Sequence, residues 1–156
     1  PMPARRNGDV WYQRRDLLVG GGRGGMSHPA SSAVTCGILH GSMADGLVLC
    51  HAAGREAVHG YESFDLPPLA DYVDLYEDLA APVRETSVVA GALNTKDLAD
   101  DAAAADAVAS FADAIGSPAT DPVRHGADAI VEAALDAGIA AESTASGDRA
   151  PEGAGE

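Results

Sequence analysis

Gly46-Leu47-Val48-Leu49-Cys50 decides how this chain is read, because no polar residue interrupts the run. A strand with only one covered face alternates apolar and polar residues, whereas a continuous apolar run fits a strand covered on both faces. Ser87-Val88-Val89-Ala90-Gly91-Ala92-Leu93 repeats the pattern. Between the two runs, Leu69, Tyr72, Val73, Tyr76, Leu79 and Ala80 recur at helical spacing, with Asp71, Asp74, Glu77 and Asp78 pointing elsewhere. The spacing predicts an amphipathic helix over 68–81, stopped by Pro82.

Outward from this centre, Val108, Phe111, Ala112 and Ile115 mark the inner face of a helix over about 98–115, closed by Gly116 and Pro118. Ala127, Ile130, Val131, Ala134 and Leu135 mark another, with Gly138 as its C′ residue. Upstream, Ser31 and Ser32 are placed to cap a helix from Ala33 toward His40, ended by Gly41. Asp16 to Val19 reads as a short strand and His51 to Pro67 as a loop. Strand and helix alternate, which predicts an α/β fold with a mainly parallel sheet between helical layers. The organisation expected is a poorly ordered segment at 1–15, one α/β domain at 16–140 and a disordered small-residue tail at 141–156.

The formal net charge is −14, so a phosphate-backbone partner is not expected, and an anionic membrane surface is disfavoured for the same reason. Lys96 is the sole lysine among 24 acidic side chains, a bias that fits adaptation to concentrated salt. Cys36 and Cys50 lie in or beside apolar segments without a disulfide spacing, which suits a reduced cytoplasmic setting. No run approaches the roughly 18 to 20 apolar residues that a membrane helix needs.

Several motifs invite chemistry. Gly20-x-Gly22-x-x-Gly25 formally matches a dinucleotide fingerprint, but a run this rich in glycine satisfies almost any glycine pattern, and Pro29 follows too soon for an ordinary helix. Lys96 stands in Asn94-Thr95-Lys96-Asp97 without a glycine loop, so the sequence holds no Walker A motif for nucleotide and magnesium. Cys36-x-x-x-His40 is a lone pair without a second pair to complete a zinc set, and no metal site is expected. Ser27-His28-Pro29 could supply a nucleophile or a proton shuttle, the plainer reading being a turn. Arg55, after His51, and Arg124, in Asp121-Pro122-Val123-Arg124, stand where a guanidinium fork could hold a carboxylate or phosphate.

Taken together, Ser27-His28-Pro29-Ala30, Val34-Thr35-Cys36-Gly37-Ile38-Leu39-His40-Gly41-Ser42, Leu47-Val48-Leu49-Cys50-His51, Gly54-Arg55, Ala92-Leu93-Asn94-Thr95 and Asp121-Pro122-Val123-Arg124 resemble one family. Its members pair an N-terminal Rossmann-like domain with a C-terminal P-loop domain. They include D-glutamate N-acetyltransferases encoded beside a dipeptide-epimerase-like partner, and some carry an NAD-dependent epimerase label. The resemblance covers about residues 26–137.

The resemblance implies a partial P-loop NTPase-like three-layer domain, acetyl-CoA as acyl donor and the amine of D-glutamate as acceptor. On this view His28 and His51 are the catalytic candidates, with His28 the first choice for removing the amine proton. Ser27, Arg55 and Arg124 would hold a carboxylate or phosphate, and Asn94 and Thr95 would lie beside the nucleotide or CoA moiety. Two departures stand out. The N-terminal domain and P-loop are missing, and Val19 to Gly25 carries glycine where the family brings a carboxylate to the magnesium position. The chain is therefore expected to be inactive alone. A non-catalytic α/β remnant that at most binds an anion is the alternative. The partner is expected to be a small molecule, with a second copy of the chain or the missing N-terminal half as further candidates.

Overall fold

The computed structural model describes residues 5–7, 10–12, 18–22 and 24–139. The chain divides into two units, residues 1–18 with 140–156, and residues 19–139. In the first, β1 (Arg5–Asn7) and β2 (Val10–Tyr12) pair antiparallel within the segment expected to be poorly ordered. The expected strand at Asp16 to Val19 falls partly outside the described residues, and its described part, Leu18 and Val19, is irregular and exposed. The expected tail at 141–156 lies outside them altogether.

The second unit has an α/β fold. Its elements are α1 (Ser32–Ser42), β3 (Leu47–Ala52), β4 (Ala57–Val58), β5 (Tyr61–Asp65), α2 (Leu69–Ala80), β6 (Val88–Asn94), α3 (Asp101–Ile115), β7 (Ala119–Thr120) and α4 (Asp128–Asp136). The central sheet is parallel with strand order β3-β6-β7. Leu49, Val88, Leu93, Phe111 and Ile115 form the buried cluster, with Leu69, Tyr72, Val73 and Tyr76 of α2 packed against it. At that junction Gly91 of β6 is fixed by space. A Cβ there would stand 2.5 Å from Phe111 Cε1 and 2.6 Å from Ile115 Cδ1, so glycine lets α3 approach the sheet.

Several local expectations are revised. The Ser31 hydroxyl does not cap α1: its oxygen is buried without a partner among the described residues, and the amides of Ser31 and Ser32 donate to the His28 carbonyl instead. The turn at 28–31 thus does by backbone what serine was expected to do. Gly41 does not end α1 either. The helix continues through Ser42 and Met43 takes the left-handed conformation, φ 47°.

Helix α3 starts later than predicted because the Asp100 carboxylate accepts from the Ala103 amide at 2.8 Å and caps it there. The segment 51–67 is more than a loop. β3 runs on to Ala52, and β4 and β5 form a hairpin whose tight turn uses Gly60 at φ 79°. Every residue of β5 is exposed, so no apolar alternation marks it in the sequence. β7 has only two residues and leaves no periodic signal. Among the described residues no helix is long and apolar enough to cross a membrane.

Candidate functional site at the carboxyl edge of the sheet

Parallel strands bring their carboxyl ends to one edge, and here the register fixes which residues meet. His51 lies opposite Leu93 and Ala52 opposite Asn94, and the Ala53 amide donates to the Asn94 carbonyl at 3.0 Å. Gly91 and Ala92 of β6 lie opposite Ala119 and Thr120, which puts Asp121 at the same edge. His51, Asn94, Thr95 and Arg124 thereby fall along one edge of the sheet.

His51 is half-buried with its ring stacked on Phe111, centroids 5.9 Å apart. Burial, reinforced by the nearby Arg55 guanidinium, holds its pKa below the usual histidine value, so the neutral ring prevails. Arg55 sits in the exposed turn that follows. Asn94 is exposed and its side-chain oxygen accepts from the Lys96 amide at 3.0 Å, which shapes the loop entering α3.

Thr95 is fully buried. Its amide donates to Asp121 Oδ2 at 3.0 Å and its hydroxyl donates to the same oxygen. Asp121 Oδ1 accepts from the amides of Val123 and Arg124 at 2.9 and 3.1 Å. Burial alone would raise the Asp121 pKa, but the Thr95 hydroxyl and amide, with the Arg124 and Val123 amides, outweigh it and bring the carboxyl down to about 2. Arg124 folds back over this pair. Its guanidinium donates to Asp101 Oδ1 at 2.5 Å and to the Thr95 carbonyl at 3.3 Å, and Nε lies 4.0 Å from Asp121 Oδ2.

Ser27 and His28 sit on a turn seated by α2. The Ser27 amide donates to Tyr72 Oη and the Met26 amide to Tyr76 Oη, both at 3.2 Å. The seat demands glycine at position 25, where a Cβ would stand 2.5 Å from Tyr72 Oη. His28 Nδ1 accepts from the Ala30 amide at 3.2 Å, and the ring packs edge-on against Tyr61 of β5. Sequence reasoning missed Tyr72, Tyr76 and Asp121 as site-shaping residues. The two tyrosines read as core positions of an amphipathic helix, and the aspartate only as part of the Asp121-Pro122-Val123-Arg124 motif, whose role was given to Arg124.

The cations are unevenly placed. Between residues 24 and 139 there are four arginine or lysine side chains, and Arg55, Lys96 and Arg124 follow the carboxyl ends of β3, β6 and β7. The fourth, Arg84, pairs with Asp45 at the amino edge. Among the described residues neither Arg55 nor Lys96 has an ion-pair partner. A cavity of about 480 Å³ lies at the amino edge, with Asp45, Glu77, Asp78 and Glu85 among its lining residues. Its carboxylates would repel an anionic ligand, so the carboxyl edge is the better candidate.

Residues 8–131 match the family model described as "Domain of unknown function (DUF1611_C) P-loop domain". The chain belongs to the DUF1611 family. A DUF1611 family protein from Anabaena variabilis, solved as a crystal structure, superimposes with a TM-score of 0.70 at 37% identity, covering 74% of this chain and 34% of that one. A D-glutamate N-acetyltransferase from Tritonibacter scottomollicae is 34% identical over 76% of this chain and 35% of its own length. Another from a Pseudoalteromonas species is 32% identical over 70% and 33%. The chain therefore spans about a third of the length of these relatives. The resemblance drawn from the motifs and the α/β fold with a parallel sheet are both borne out.

Proposed function

We propose that this chain is the C-terminal portion of a D-glutamate N-acetyltransferase-like enzyme, binding the anionic groups of acetyl-CoA and of an amino-acid acceptor at the carboxyl edge of β3, β6 and β7. One observation carries the reading: in a chain of net charge −14, three of the four cationic side chains between residues 24 and 139 stand on loops at that edge. The names of the relatives supply the reaction class.

In this reaction the acceptor amine attacks the thioester carbonyl, a C–N bond forms, the C–S bond breaks and the amine proton passes to a base. The two histidines suit different parts of that step. His28, the first choice as base from the sequence, is better placed as a donor, because its Nδ1 accepts from the Ala30 amide and leaves Nε2–H toward a carboxylate or carbonyl oxygen. His51, kept neutral by burial and by Arg55, is the group prepared to accept the proton. Arg55 and Lys96 would hold carboxylate or phosphate oxygens, with Asn94 offering its amide donors beside them, whereas Arg124, expected in that role, is engaged by Asp101 and the carbonyls of Thr95 and Leu98. Neither a Walker A loop nor its lysine and hydroxyl pair is present in the sequence, so no step is assigned to a nucleotide or magnesium.

Calorimetric titration of the chain with acetyl-CoA, and separately with D-glutamate, tests the reading. Heat of binding from at least one ligand, reduced by Arg55→Ala, is expected. Silence from both would favour a remnant without a ligand site. Co-expression with an N-terminal half from a relative is expected to restore acetyl transfer that the chain lacks alone.

A further inference from the structure

The geometry points to Asp121 as a positioning residue that joins the β6–α3 and β7–α4 loops into one platform, so that Asn94 and Lys96 face a ligand in fixed relation. This rests on the reading of the carboxyl edge as the binding edge. The carboxylate is 2% exposed and too deep to meet a ligand itself. Its two oxygens divide the work between loops. Oδ2 receives the amide and hydroxyl of Thr95 from the β6–α3 loop, and Oδ1 receives the amides of Val123 and Arg124 from its own loop. Arg124 closes the connection from outside by donating to the carbonyls of Thr95 and Leu98 at 3.3 and 3.5 Å.

Such an arrangement differs from ordinary core packing. A buried carboxylate is costly to desolvate unless hydrogen bonds satisfy it, and an apolar side chain could fill the same space without that cost. What it adds is direction: donors from two loops converge on one group, so neither loop moves without the other. Thr95, with its side chain wholly buried, belongs to the same device. Its place beside Asn94 serves a ligand through the loop it anchors rather than by its own contact.

Thr95→Val tests this, because valine keeps the shape and the amide but removes the hydroxyl bond to Oδ2. Hydrogen exchange of the whole chain is expected to show the amides of Leu98, Val123 and Arg124 exchanging at least about tenfold faster, since a hydrogen bond to a charged group contributes that much. Amides within β3 and β6 should keep their rates. Thr95→Ser, which restores the hydroxyl, should restore protection, and in the unaltered chain the Thr95 hydroxyl proton should be visible by NMR. Unchanged Val123 and Arg124 amides, or equal acceleration of every amide, would overturn the coupling. In the second arm acetyl-CoA is titrated against the same variants. Affinity weakened in Thr95→Val and recovered in Thr95→Ser supports positioning, and equal affinity in all three overturns it. If acetyl-CoA fails to bind the unaltered chain, the proposed function falls and the exchange arm alone decides the loop coupling.

Discussion

Acidification should destabilise this protein at Asp121, and the size of the effect follows from its surroundings. The carboxyl is held down to about 2 in the fold against an ordinary 3.8, because the bonds from Thr95, Arg124 and Val123 overcome the burial that would raise it. The ionised form is therefore favoured by the fold. One pKa unit corresponds to about 1.4 kcal/mol, so the displacement contributes about 2 kcal/mol of stability. The sign is fixed by the depressed value: the contribution is complete above the unfolded pKa and disappears as pH falls from about 4 through about 2. Urea unfolding at a series of pH values, run on the unaltered chain and on Asp121→Asn, isolates it. Asparagine is never ionised, and its NH2 group must face donors on one side, which adds a pH-independent loss of about 1 to 3 kcal/mol. The difference between the two stability curves should be flat near neutrality and shrink by about 2 kcal/mol toward pH 2. Parallel curves over that range would refute the assignment of a hydrogen-bonded, ionised Asp121.

Three other perturbations reach different parts of the domain. Gly91→Ala places a methyl group against Phe111 and Ile115 and should destabilise by about 1 to 3 kcal/mol. Adding Ile115→Val, which removes the Cδ1 atom in the way, should recover part of that loss in thermal melts. Gly25→Ala should be costly with Tyr72 present and cheaper in a Tyr72→Phe background, where the clashing Oη is gone. A double-mutant cycle with coupling of about 1 kcal/mol is expected, and additivity would show that the tyrosine does not seat the turn. NMR titration should place His51 below the ordinary histidine value, and Arg55→Ala should move it only part of the way back, because burial is the larger cause.

Much of the fold could be read from local patterns. The unbroken apolar runs at 46–50 and 87–93 mark β3 and β6, and the periodic positions of α2, α3 and α4 fall within their observed limits or close to them. The omissions have physical causes. β7 is too short to carry a period, and β5 is exposed along its whole length. At α1 the serines looked like caps, yet the turn before them satisfies the helix start with the His28 carbonyl. The candidate site was legible as a set of residues at strand ends, because open parallel sheets gather those ends along one edge. Their individual surroundings were not legible.

Sequence alone determined the alternation of strand and helix and the order of motifs, because burial on both faces of a strand and one face of a helix constrains neighbours a few residues apart. Only the tertiary structure decided the strand order β3-β6-β7, the burial of Thr95 and the convergence of two loops on Asp121. Thr95 and Asp121 are separated by 26 positions, and each is an ordinary surface residue by composition. What makes them a buried pair is that each satisfies the other away from water, a property of the pair's placement that neither segment carries by itself.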